Sequence, residues 1–276
     1  MLRSKEKRCS DVAGFCDGPR HSYPLLQKLA FAIALFIVSA SLWAAQPPKV
    51  VVSSRPVHSL VSGLMHGVGE PVLLIEQPIA PWSHTTDIDD IKLVSAADLF
   101  IWTGPELEPS LAELLEQIDS RPQVFEVLGS DVLKILPARQ DDRLRDPFFW
   151  LDSRNMLILL DEFSRWLGDA DPERRHIYER NRKQMTIALG ELDRELEFRY
   201  RDVSGVPVFF YHDTHQYFEQ AYAMRVGGSV ASFGEGTVNN TERLLALRRT
   251  LTNRGKSCLF TEKALSEPHV ELVAAG

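Results

Sequence analysis

Four short apolar runs, Lys49 to Ser53, Pro71 to Ile75, Ala97 to Trp102 and Val124 to Leu128, are interleaved with stretches of helical spacing. Val57 to Val68 puts Leu60, Val61, Leu64 and Met65 on one helical face, and Leu107 to Ile118 repeats its leucines at the same period. Short strands alternating with amphipathic helices specify an α/β fold with a mostly parallel sheet. The pattern resumes later. Val206 to Tyr211 reads as a strand, Gln216 to Tyr222 as a short helix and Arg225 to Ala231 as a strand. A loop over Phe233 to Asn240 with Gly234 and Gly236, a helix over Thr241 to Asn253, a strand over Ser257 to Phe260 and a helix from near Glu267 complete it.

A single long helix is expected between the two halves. Asp171-Pro172 supplies an N-cap followed by proline in the first turn. From there to about Arg201 the chain has no further proline and one glycine, Gly190, while Ile177, Met185, Ala188, Leu189, Leu192 and Leu196 recur at helical spacing. About 30 residues at 1.5 Å each make a rod of roughly 45 Å. The expected architecture is two parallel-sheet lobes joined by one long backbone helix: 46–168, 169–203 and 204–276, behind a leader and signal peptide at 1–45.

The leader follows from Leu29 to Trp43, an unbroken apolar run preceded by Lys28 and followed by Ala44-Ala45-Gln46-Pro47-Pro48. It is short for a membrane span, and its basic flank and small exit residues describe a secretory signal peptide. Cleavage near Ala44 or Ala45 is expected to release a soluble periplasmic protein, with no adjacent Cys to carry a lipid. The long stretch before the run suggests a start codon placed too early, and the strand–helix pattern stopping at Gly276 suggests further chain beyond it. Residues 1–45 hold six basic and three acidic residues, leaving 25 Lys/Arg against 35 Asp/Glu, a formal net charge of −10. That balance argues against a nucleic-acid partner. Cys9 and Cys16 fall in the leader, so Cys258 is the one cysteine left, and an odd cysteine suggests a free thiol or a partner elsewhere.

The chemistry concentrates in Phe209-Phe210-Tyr211-His212-Asp213-Thr214-His215-Gln216-Tyr217-Phe218-Glu219. An apolar strand ends in two histidines and an aspartate, at the strand end where open α/β sheets place ligands. Neutral imidazole is the commonest side-chain metal ligand. Asp213 is read as orienting an imidazole or capping the next helix. His58, His66, His176 and His269 lie on or near expected helices, where solvated or packed roles are the default.

Several ordered strings resemble the periplasmic metal-binding receptors of zinc and manganese ABC transporters. Ser53-Ser54-Arg55-Pro56 resembles the family's first strand exit. Asp90 through Leu99 is similar to its SDxxxLxxADL run, and Trp102-Thr103-Gly104-Pro105-Glu106-Leu107-Glu108 to WxGPxLE. Asp146-Pro147-Phe148-Phe149-Trp150-Leu151-Asp152 resembles DPHxWLD; Asp171-Pro172 with Tyr178 and Asn181, His212-Asp213 with Tyr217-Phe218, and Phe260-Thr261-Glu262 match three further motifs. The resemblance covers roughly residues 49 to 270. It implies three histidines and a carboxylate as ligands, of which His212 alone matches. Trp82 and Phe148 stand at two family histidine positions, the fourth ligand falls beyond Gly276, and the His-rich loop is absent from 137–146. It also implies a disulfide for Cys258 with a cysteine beyond Gly276, and a structural role for Glu262, which could also approach the cleft.

Zinc takes about four N, O or S donors. His84, two residues after Trp82, and His215, which shares a face with His212 if helix begins there, are the candidate replacements. His84, His212 and His215 with one carboxylate, from Asp87, Asp89 or Asp213, would complete a tetrahedral site. The expected function is capture of a divalent transition metal, Zn²⁺ first and Mn²⁺ if carboxylates dominate, by a monomer that delivers it to an ABC permease. The alternative is the same scaffold with a degenerate metal site acting as an accessory or interaction protein, with Trp82 and Phe148 as an apolar floor. An enzyme is not expected, since no GxSxG, HExxH, P-loop or GxGxxG occurs in a fitting context.

Overall fold

The computed structural model describes residues 46–77, 79–118, 122–233, 241–254, 257–262 and 270–274. The expected leader and signal peptide, the glycine loop at 234–240, the helix start near Glu267 and His269 lie outside the described residues.

The first sheet is four parallel strands: β1 (Val50–Val52), β2 (Val72–Leu73), β3 (Leu99–Trp102) and β4 (Gln123–Glu126), in the order β2-β1-β3-β4. The two central strands are buried at every position, which is why they read as continuous apolar runs rather than alternating ones. Between β1 and β2 runs α1 (Arg55–Met65), with proline in its first turn and Val57, Leu60, Val61, Leu64 and Met65 buried. Helices α2 (Ile88–Ser95) and α3 (Pro109–Gln117) follow β2 and β3. Gly104, just past β3, has φ 144°, and a Cβ there would stand 2.9 Å from Leu128, so the strand exit requires glycine.

Two helices lead to the second lobe, α4 (Ser153–Ala170) and α5 (Arg175–Arg201). The first was not expected. Its Met156, Leu159, Leu160, Phe163 and Leu167 are buried at helical spacing, so the signal is present in the sequence. The expected long helix is real but starts at Arg175, and its 27 residues span about 40 Å. Asp171 is a correction. It ends α4 rather than capping α5, and its carboxylate accepts from the Tyr178 hydroxyl (2.9 Å) and from Arg174 (3.0 Å). Asn181, in α5, donates from Nδ2 to Leu64 O and His66 O, both at 2.8 Å, capping the end of α1. Asn181→Ala, which orphans both carbonyls, is expected to cost about 1–3 kcal/mol, seen as a lower urea midpoint at unchanged slope.

Among the described residues the second sheet has three parallel strands, β5 (Val208–Asp213), β6 (Val226–Ser232) and β7 (Leu259–Phe260), in the order β6-β5-β7. Helix α6 (Gln216–Tyr222) follows β5, α7 (Thr241–Arg254) follows β6, and α8 (Val270–Ala274) follows β7. A Cβ on Gly227 would lie 2.5 Å from the Phe209 ring, so bare backbone lets β6 close on β5. Phe209, Tyr211, Val230, Leu244, Leu247 and Val273 form this lobe's own core. Tyr217, from the second lobe, instead packs in the core of the first, with Leu136, Phe149 and Leu159. From Pro47 on, the chain forms one compact unit. No helix among the described residues is long and apolar enough to cross a membrane.

Candidate metal cleft

Parallel strands aim their carboxyl ends one way, so each lobe presents strand-exit loops on one edge. On the first lobe a 3₁₀ turn, Pro81–Ser83, carries Trp82 and leads into His84. The second lobe contributes His212, the fifth residue of β5 and 6 % exposed. Trp82 and His212 meet with ring centroids 6.0 Å apart. Phe148 is 6.4 Å from Trp82, edge to face, and 5.6 Å from Phe233. Trp82 and Phe148 therefore pack edge to face beside the imidazole.

His212 Nδ1 is 2.9 Å from Glu262 Oε2. A carboxylate only accepts, so Nδ1 carries the proton of this bond, and Nε2 is the ring nitrogen that remains for another partner. A carboxylate behind an imidazole is the arrangement that orients metal-ligating histidines. Glu262 Oε1 also receives the Thr214 hydroxyl at 3.5 Å, and Thr214 Oγ1 is 2.9 Å from His215 Nδ1. Of the two roles open to Glu262, structural or at the cleft, the structure puts its carboxylate against His212.

The other expected ligands are placed differently. His84 Nε2 is 3.0 Å from Asp90 Oδ2. Asp90 belongs to a capping box on α2: Asp87 Oδ1 accepts from the backbone of Asp89 (2.8 Å) and Asp90 (3.0 Å), while Asp90 Oδ2 accepts from Asp87 N (3.1 Å). Those backbone donors hold the Asp87 carboxyl below its ordinary range. Asp89 instead pairs with Lys92 Nζ at 2.8 Å. His212 is still strand and helix begins only at Gln216, so helical spacing does not put His215 beside it. His215 stacks on Phe210, ring centroids 4.0 Å apart, and burial pushes its pKa down, which keeps it neutral near pH 7. Among the described residues, no three His, Cys, Asp or Glu side chains converge as a metal site.

Asp213 neither orients an imidazole nor caps α6. It accepts from Gln140 Nε2 at 2.7 Å and pairs with Arg139 Nε at 3.0 Å. Arg139 also makes a two-pronged contact with Glu219, both oxygens at 2.9 Å. Lys134 Nζ reaches Gln220 Oε1 at 2.9 Å, and Gln216 Nε2 donates to Pro137 O at 3.1 Å. The segment 134–146 thus straps the first lobe to α6. Nothing in the spacing of Arg139 or Gln140 announces this role, because their partners are about 75 residues away.

Two parallel-sheet lobes that meet through loop residues, with an imidazole backed by a carboxylate at the seam, are the frame of a two-lobed binding protein. Residues 50–276 match the family model of ZnuA, the periplasmic component A of the zinc-uptake complex, and the chain belongs to that family. Its members are solute-binding proteins of transport systems rather than enzymes. The chain is 25% identical over 291 residues to the high-affinity zinc uptake system protein ZnuA of Brucella abortus, covering 88% of this chain and 87% of that one. It is 24% identical over 197 residues to the manganese ABC transporter substrate-binding lipoprotein PsaA of Streptococcus mitis, covering 67% and 62%. The fold is shared with the periplasmic zinc binding protein TroA of Treponema pallidum, with TM-score 0.74, 19% identity and 82% of each chain covered.

Proposed function

We propose that the chain is an exported, monomeric periplasmic receptor that captures a divalent transition metal, zinc foremost and manganese second, and hands it to an ABC permease. Nucleic acid has no part in this role. Family membership supports the class, and the names of the relatives support the metals. The observation that carries the site is the His212–Glu262 pair at the seam between the lobes. In this reading His212 Nε2 is the first ligand and Glu262 fixes its ring. His84 joins after its loop turns it from Asp90, a short movement because Trp82 on the same turn already touches His212. His215 is the outermost member of the set and acts through Thr214, which bonds both His215 and Glu262. Protonated imidazole cannot ligate, so capture weakens in acid.

Calorimetry on the full chain at neutral pH is expected to show roughly one Zn²⁺ per protein. His212→Ala should weaken it about a hundredfold and Glu262→Gln about tenfold, the range for losing an orienting group. Absence of any binding heat for Zn²⁺ and Mn²⁺ would overturn the reading.

A second reading is supported by the edge-to-face packing of Trp82 on Phe148. Two rings without lone pairs at the seam suit an accessory or interaction protein whose metal site has degenerated. Its signature is a native chain that binds no zinc beside a Trp82→His, Phe148→His double variant that does.

A further inference from the structure

A wide cavity lies away from Trp82 and His212. It lies between Leu151, the end of α5 and the strands β5 and β7, and has a volume of about 790 Å³, within the ordinary size of a small-molecule site. The end of α5 and the turn after it supply one wall, with Tyr200, Val203 and Val206. Strands β5 and β7 supply another, with Phe210 and Phe260 at 5.5 Å between ring centroids. Val203, Val206 and Phe260 are 47 %, 57 % and 49 % exposed, a concentration of open apolar surface that water-soluble proteins rarely leave unused. Ser257, Cys258 and Arg254, at the end of α7, are polar lining residues outside the proposed metal set, and His215, stacked on Phe210, lines it as well. Among the described residues Arg254 has no ion-pair partner, and none of the acidic side chains lines the cavity.

We propose that this cavity is a second binding site, for a small amphiphile with an apolar body and one carboxylate. The body lies on Tyr200, Phe210 and Phe260, and the carboxylate takes the two-pronged guanidinium of Arg254. Arg254 is the one cation among the described lining residues, and a guanidinium there favours a monoanion over a neutral or cationic molecule of the same shape. His215 stands at its inner wall as a hydrogen-bonding group. Trp82, His212 and Glu262 are not among its lining residues, and His215, whose Nδ1 meets Thr214, is the residue shared with the proposed metal set.

The test uses the full chain with decanoate as probe, below its micelle concentration, and decanol as its neutral counterpart. Peptide-level mass spectrometry follows alkylation of Cys258, which is exposed and lines the cavity. Decanoate is expected to slow alkylation, decanol to do so far less, and Arg254→Gln to raise the protecting concentration about tenfold. Val206→Trp, which fills the mouth from an exposed turn, should remove decanoate binding by calorimetry while leaving the circular dichroism spectrum unchanged. Equal protection by decanol, or an unchanged decanoate response in Arg254→Gln, overturns the proposal. So does protection that tracks a rise in molecular mass with protein concentration, because a second copy of the chain would then be the occupant.

Discussion

Tyr217→Ala is expected to destabilise the protein by about 3–5 kcal/mol, the range for emptying the space of a buried aromatic ring. Tyr217 is 1 % exposed and belongs to the core of the first lobe although it is carried by the second. Its hydroxyl accepts from Leu136 N at 2.9 Å and donates to Asp146 O at 3.0 Å. Burial pushes its phenol pKa up, so it remains a neutral donor at every working pH. Tyr217→Phe keeps the ring and leaves both backbone groups without their partner, which should cost about 1–3 kcal/mol. Urea unfolding measures both values. Hydrogen exchange adds the spatial readout, with faster exchange expected in 134–138 and 216–222 together. A loss of protection confined to α6 would mean that the strap does not couple the lobes.

The second large effect concerns pH. Asp146 is 2 % exposed, and burial pushes its pKa to about 7, opposed by the Phe148 backbone donor at 3.0 Å and reinforced by the charge on Asp213. The folded state therefore holds this proton more tightly than the unfolded chain does. Its contribution to stability is complete below about pH 4 and is lost as pH rises through about 7, where the folded carboxyl ionises. The loss by pH 8 is on the order of 2–4 kcal/mol. Asp146→Asn, which keeps an oxygen for Phe148 N, should match the native protein near pH 4 and exceed it in stability by about that amount at pH 8. Glu108, fully buried with a backbone bond from Thr103 and a pKa also pushed to about 7, should give the same trend in Glu108→Gln. Parallel pH–stability curves for native and variant would remove Asp146 as the source.

Much of the fold could be read from the order of residues because its strands are buried on both faces and its helices carry clean apolar stripes. The Val50–Val52 and Leu99–Phe100-Ile101-Trp102 runs have no competing interpretation. Helix α4 carries an equal signal, and the Asp87–Asp90 capping box marks the start of α2. The site was less legible for a physical reason. Family strings locate His212, but whether an imidazole faces a cleft is decided by tertiary partners. Asp90 holds His84, Phe210 holds His215 and Arg139 holds Asp213, and each of those choices depends on packing that spacing does not encode.

The strand order β6-β5-β7 has a consequence for biogenesis. During synthesis the first sheet has all its strands once residue 126 has emerged, whereas β5 waits for both neighbours, the later of which arrives with Phe260. Until β6 emerges the strand bearing His212 has both edges bare, and until Phe260 it still has one, the condition in which nascent chains stick to each other. A holdase that shields residues 208–213 until translation passes 260 should therefore raise the yield of native protein more than one acting on the first lobe.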